Sequence, residues 1–233
     1  MQLNRINQNG NNTSIVSVFW IWEDGMEDMV KEYGIVENKG IMVVTIIGEI
    51  EGHDNSGKES KTTKYEHMLP LLANAENNDD VKGLLFLVNT IGGDVSCGLA
   101  LAEMIAGISK PKVSLVIGDS HSIGLPLAVA SDYCYIAPSA TVIIHPVRMS
   151  GTVIGAEQTY RQFKSTQDRI VGFVAGHSKC SAAKIEEMMM ETTVFPKDLG
   201  TMLVGADAVE AGIADAVGGI RDAYEKLYTL ISL

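Results

Sequence analysis

Three short stretches of this 233-residue chain carry residue types that together could activate a hydroxyl. In GDSHSIGLPLA, residues 118–128, Ser122 stands where one apolar run turns into another. His145 follows 23 residues later, at the end of the apolar run 142–144, from which an imidazole can be held rigidly. Upstream, NTIGG at residues 89–93 ends in Gly92 and Gly93, whose backbone donors have no side chain in the way. A serine hydroxyl attacks a carbonyl poorly unless a base takes its proton, and the tetrahedral oxyanion that forms needs N–H donors. Ser122 is therefore the candidate nucleophile, His145 the candidate base, and the amides of Gly92, Gly93 and Ile123 the candidate oxyanion hole. Each has a plainer reading. A serine before a helix is commonly a cap, a histidine ending a strand is commonly a satisfied core residue, and Gly-Gly turns are frequent. Their joint order and spacing favour chemistry.

The elements that must hold these residues are legible in outline. Residues 41–47, IMVVTII, predict a buried strand, and 51–63 a polar loop. Helical spacing covers 65–75. The run 84–88, LLFLV, predicts a strand that leads through the glycine turn into a helix over 94–108. The pattern recurs with a strand at 113–117, the serine turn, and an apolar helix from 122 to about 130. Two short apolar runs at 133–137 and 142–144 follow, separated by Pro138-Ser139. Amphipathic helices are expected over 156–176 and 181–190, the second capped by Ser181, and a closing helix runs to residue 230. Strands alternating with helices predict an α/β domain with mainly parallel strands, in which chemistry collects at the carboxyl ends of the strands.

Composition narrows the function classes. Eighteen basic against 29 acidic side chains give a formal charge of −11, so no field gathers nucleic acid or anionic lipid. The longest apolar stretch near the start, residues 15–22, is too short to span a bilayer, and no membrane insertion or signal peptide is expected. Cys97, Cys134 and Cys180 form no CxxC pair and no zinc-ligand spacing, which predicts reduced thiols, a cytoplasmic setting and no metal or cofactor. An α/β-hydrolase triad runs Ser, then Asp or Glu, then His, whereas here the histidine comes second among the candidates, which argues against that fold. Phe19, Trp20 and Trp22 form an aromatic patch that suits an edge strand or a subunit contact.

The segments NTIGGDVSCGLALAEMI, GDSHSIGLPLA, YCYIAPSATVIIHP and ADAVEAGIAD, in that order, resemble the ClpP-type serine peptidases, whose fold is shared with the crotonases. GEIEGHD, KTTKYEHMLP, VIIHPVRMSG and KDLGT resemble one subgroup of ClpP-like proteins. The likeness runs from about residue 41 to the end of the chain. It implies a ClpP/crotonase-like spiral of repeated β-β-α units with a protruding handle helix at 156–176. It also implies a single domain over 31–233 behind a partly flexible arm at 1–30. The implied activity is that of a serine endopeptidase working through an acyl-enzyme on peptide or unfolded-protein substrates. The implied assembly is a homo-oligomeric ring, hexamer or heptamer, single or stacked. No GxxxxGK[ST] motif is present, so any ATP dependence belongs to a partner ATPase unfoldase, which is left open.

By the same resemblance Ser122 matches the nucleophile, His145 the general base, and Gly93, with Gly92, and Ile123 the oxyanion-hole amides. Departures are Ile91 in place of the family's proline before the glycine pair, and Ser120-His121 in place of small apolar residues. His121 is expected to point away from the site. The orienting acid departs too. Read back without a gap from ADAVEAG, its column holds Gly200, and Asp198 becomes the candidate if the loop carries two extra residues. ClpP-fold signal-peptide peptidases use a serine and a lysine, which makes Lys164 on the handle helix an alternative base; its competing reading is a solvated face shared with Gln162 and Asp168. Two other functions stay open. One is a catalytically weak ClpP-like scaffold that binds secretory or unfolded polypeptides, and the other is a crotonase-type enzyme using the same amides for an enolate.

Overall fold

The structure, a computed structural model, describes residues 35–38, 40–53, 61–148, 155–193 and 199–233. The arm at 1–30 with its aromatic patch, and Asp198, lie outside the described residues. The strands are β1 (Ile35–Asn38), β2 (Ile41–Glu51), β3 (Thr62–Lys64), β4 (Gly83–Gly93), β5 (Lys112–His121), β6 (Tyr133–Ile136), β7 (Thr141–Ile144), β8 (Thr201–Val204) and β9 (Ala216–Val217). The helices are α1 (Tyr65–Asn77), α2 (Val95–Gly107), α3 (Gly124–Val129), α4 (Ala156–Gly176), α5 (Ala182–Met189), α6 (Ala206–Glu210) and α7 (Ile220–Ile231).

Strands β1-β2-β4-β5-β6-β9 form one sheet in that order, with β3 added to β2, β7 to β5 and β8 to β7. Pairing is parallel except for β1 with β2 and β7 with β8. The α/β expectation holds. Helices cover both faces of a parallel sheet, which is why β4 begins as the unbroken apolar run LLFLV rather than an alternating one. The larger core lies between β2, β4, β5 and helices α1 to α5; a smaller one sets Ile41, Leu85, Val113 and Leu115 against Ala223 and Leu227 of α7.

The feature that builds the site is a fork at β5. Its first half pairs with β6 through Val113 to Val116, and its last residues pair with β7 through Asp119, Ser120 and His121. The carboxyl ends of β5 and β7 therefore lie side by side, and each leads straight into a candidate residue, Ser122 after β5 and His145 after β7. Lys112 anchors the other end of β5. Its ammonium, almost fully buried, donates to Ile108 O at 2.9 Å and to Asp132 Oδ1 at 3.0 Å, so the charge is paired where water is excluded.

Helix ends follow local chemistry. Asp94 Oδ1 accepts from Cys97 N at 2.8 Å at the start of α2, and Ser181 caps α5 by accepting from Lys184 N, as its sequence position predicts. The six residues of α3 are all buried, which suits a helix that is apolar all round. In α4 the apolar residues Ile170, Val171, Phe173 and Val174 anchor the second half, while most of the first half is exposed, so the helix projects as a handle does.

Some boundaries differ from the sequence reading. The glycine turn 89–93 and the GDSH segment are the last residues of β4 and β5 rather than loops. The expected loop 51–63 begins inside β2 and ends in β3, which pairs with Glu49 to Glu51. Strand β8 had no counterpart in the reading of the apolar runs.

Candidate active site

Ser122 occupies the turn between β5 and α3 with φ 56°, the one left-handed non-glycine residue among those described. Such a conformation is costly for an L-residue and persists only where its surroundings enforce it. Here the Ser122 N–H donates to Ile143 O at 2.9 Å, and Leu125 N donates to Ser122 O at 3.1 Å. The cap reading does not hold: the residue at the N-cap of α3 is Ile123, and no side chain caps it.

Gly92 lies against this turn. A Cβ on Gly92 would fall 2.8 Å from both His121 O and Ser122 Cβ, and 3.4 Å from Ile123 N, so only glycine lets β4 approach the Ser122 turn. The Gly92 N–H donates to Thr90 Oγ1 at 3.1 Å, and Asp94 N donates to Ile50 O at 3.0 Å, both on the β2 side. Strand alternation turns the intervening Gly93 amide away from β2. The structure thus separates two residues that sequence had grouped: the Gly92 donor is engaged, and Gly93 lines the cavity that also holds Ser122 and Ile123.

That cavity, about 150 Å³, brings Ser122, His145, Gly93 and Ile123 together against apolar walls that include Leu125, Ile170 and Met189. His145 Nδ1 lies 2.7 Å from Pro146 O. A carbonyl oxygen only accepts, so Nδ1 carries a hydrogen, and in the neutral ring the lone pair is then on Nε2, the tautomer a base needs.

Gly200 also stands beside the histidine. A Cβ there would lie 3.0 Å from His145 Cβ and 2.6 Å from Ile144 O, and the φ of 134° disfavours any side chain. The gap-free column of the acid is therefore next to His145 in space and holds no carboxylate. Lys164 is not brought to the site. It is exposed on α4, paired at 2.8 Å with Asp168, whose hydrogen bond and charge push its pKa above the ordinary lysine value, the opposite of what a base requires.

His121 points away from the cavity, as expected. Its Nε2 lies 2.7 Å from Thr141 Oγ1, which donates to Asp119 Oδ1 at 2.8 Å, a chain that pins β5 to β7. Burial lowers its pKa, Asp119 opposes this, and nearby His145 adds to the lowering. Sequence reasoning missed this link, although Asp119 and His121 are two apart on one strand and so share a face. It also missed Arg148, which lines the cavity.

The cysteines offer no rival nucleophile. Cys97, Cys134 and Cys180 are all buried, and burial pushes the Cys97 thiol up to about 11 and Cys134 to about 12. A raised thiol pKa keeps the unreactive protonated form through neutral and mildly alkaline pH. A thiol reagent at pH 8 is expected to modify none of the three in the native protein and all three in denaturant, read by mass spectrometry; rapid native labelling of Cys97 would contradict the burial.

A family model for Clp protease matches residues 51–221. The chain belongs to the Clp protease family. Within the family, it is 49% identical over 196 residues to the translocation-enhancing protein TepA of Halalkalibacterium halodurans, covering 84% of this chain and 77% of that one. The ATP-dependent Clp protease proteolytic subunit 1 of Protochlamydia amoebophila is 26% identical over 148 residues, covering 61% and 68%. The proteolytic subunit of Leuconostoc citreum is 27% identical over 143 residues, covering 58% and 66%. This family membership accounts for the α/β fold with its projecting helix. No helix among the described residues is long and apolar enough to cross a membrane.

Proposed function

We propose that this Clp-family chain is a serine endopeptidase. His145 Nε2 takes the proton as Ser122 Oγ attacks a peptide carbonyl, and the amides of Gly93 and Ile123 hold the oxyanion. The C–N bond breaks as the imidazolium returns its proton to the leaving amine, and water then releases the acyl group from Ser122 by the same base. The carrying observation is that a strained turn presents Ser122 to the same cavity as a histidine whose tautomer is set by Pro146. Apolar walls and a volume of about 150 Å³ suit one aliphatic or aromatic side chain next to the scissile bond. Asp198 is the proposed orienting carboxylate, a role in which it would replace Pro146 O as acceptor of the Nδ1 hydrogen.

The names of the relatives support two extensions. Proteins called proteolytic subunits suggest a homo-oligomeric ring that encloses the sites, and "ATP-dependent" suggests an unfoldase partner for those relatives. The name of the TepA relative suggests a link to protein export. The second reading, a weakly catalytic scaffold for unfolded polypeptides, draws its support from Gly200, where the acid's column carries no side chain.

A fluorophosphonate probe tests the choice. Wild type is expected to be labelled at Ser122 and Ser122→Ala to be unlabelled, with Lys164→Ala labelled like wild type. A folded wild type that takes no label would place the scaffold first.

A further inference from the structure

Thr90 is fully buried in β4, three residues before Gly93. Its Oγ1 lies 2.5 Å from Gly48 O and 3.1 Å from Gly92 N. A hydroxyl has one hydrogen, and Gly48 O can only accept it, so a lone pair of Oγ1 is left to receive the Gly92 N–H. The methyl of the same side chain touches the other half of the site: a Cβ on Gly124 would lie 2.6 Å from Thr90 Cγ2. Thr90 therefore grips the residue before Gly93 and abuts the residue after Ile123.

The glycines need such a grip. Gly92 and Gly93 adopt φ of 92° and 152° and carry no side chain by which packing could hold them. Glycine has the widest conformational freedom of any residue, so the direction of its neighbouring amide must be set by other groups. An oxyanion donor must be preorganised to within a fraction of an ångström, because a hydrogen bond aimed at a developing charge loses its value when misaligned.

We propose that Thr90 is the positioning residue of the oxyanion site, its hydroxyl fixing the Gly92–Gly93 segment so that the Gly93 amide faces the carbonyl attacked by Ser122. This rests on the serine-peptidase reading above. Thr90 touches no substrate; it acts through Gly92.

The experiment measures fluorophosphonate inactivation of the full chain, resolving the maximal rate from the half-saturating concentration. Thr90→Val keeps the shape and removes the hydroxyl; Thr90→Ser keeps the hydroxyl and removes the methyl. The control is Ser120→Ala, which removes an equally buried hydroxyl that has no hydrogen-bond partner among the described residues. Thr90→Val is expected to lose about ten- to a hundred-fold in maximal rate, with the half-saturating concentration unchanged. Thr90→Ser and Ser120→Ala should stay within about three-fold of wild type on this argument. A folded Thr90→Val with the wild-type maximal rate overturns the inference. So does a Thr90→Ser that loses ten-fold or more, and this arm decides should Thr90→Val not fold. A loss confined to the half-saturating concentration assigns Thr90 to cavity shape and also overturns it. Wild type that takes no label removes the Ser122–His145 reading itself, a result distinct from any of these.

Discussion

His145→Ala is expected to lower kcat for a peptide amide by about a million-fold, the cost typical of removing the base or nucleophile from a serine hydrolase. The size follows from chemistry. Without Nε2 beside it, Ser122 attacks as a neutral hydroxyl, and no group returns a proton to the leaving amine. The His145 ring shares its cavity with Ser122 while Nδ1 lies against Pro146 O, which suits the proposed role of Nε2 as the proton acceptor. Ser122→Ala should reach the same floor, and the double variant should fall no further, because the two act as one unit. A His145→Ala variant that keeps more than about a hundredth of the wild-type rate would assign the proton to another group.

Gly93→Ala has the second largest expected effect. An added Cβ would lie 2.2 Å from Ile50 O and 2.7 Å from Ile50 N, both backbone atoms of the paired strand β2, in a conformation with φ of 152°. Neither atom can rotate out of the way, so β4 must separate from β2 at the cavity rim. The proposed oxyanion donor moves with it. Loss of one such donor costs about a hundred- to a thousand-fold in kcat, and the forced contact about 1–3 kcal/mol in stability. Gly172→Ala is the contrast. Gly172 lies inside α4 with nothing within 4 Å of its added Cβ, so alanine should stabilise by about 0.5–1 kcal/mol and leave the rate unchanged. Thermal unfolding and ester hydrolysis on both variants check the pair; equal behaviour would contradict the close approach of β4 to β2.

Local chemistry in the chain itself determined a good deal. The amphipathic spacing of α4, the Ser181 cap, the LLFLV strand and the alternation that makes an α/β sheet are all set by residues near one another in sequence, where periodicity and caps act. The candidate nucleophile and base were legible for a related reason: their spacing matches strand ends that one parallel sheet can bring together. Strands β3 and β8 were not legible, since TTK and TMLV are too short to carry a period and become strands only by pairing with β2 and β7. Tertiary structure alone decided the finer points of the site. The fork of β5 sets Ser122 beside His145, Gly48 O takes the hydroxyl hydrogen of Thr90, and Gly200 packs on the histidine. Each depends on where atoms far apart in sequence meet, and hydrogen-bond direction and contact distance are properties of that meeting, not of residue type.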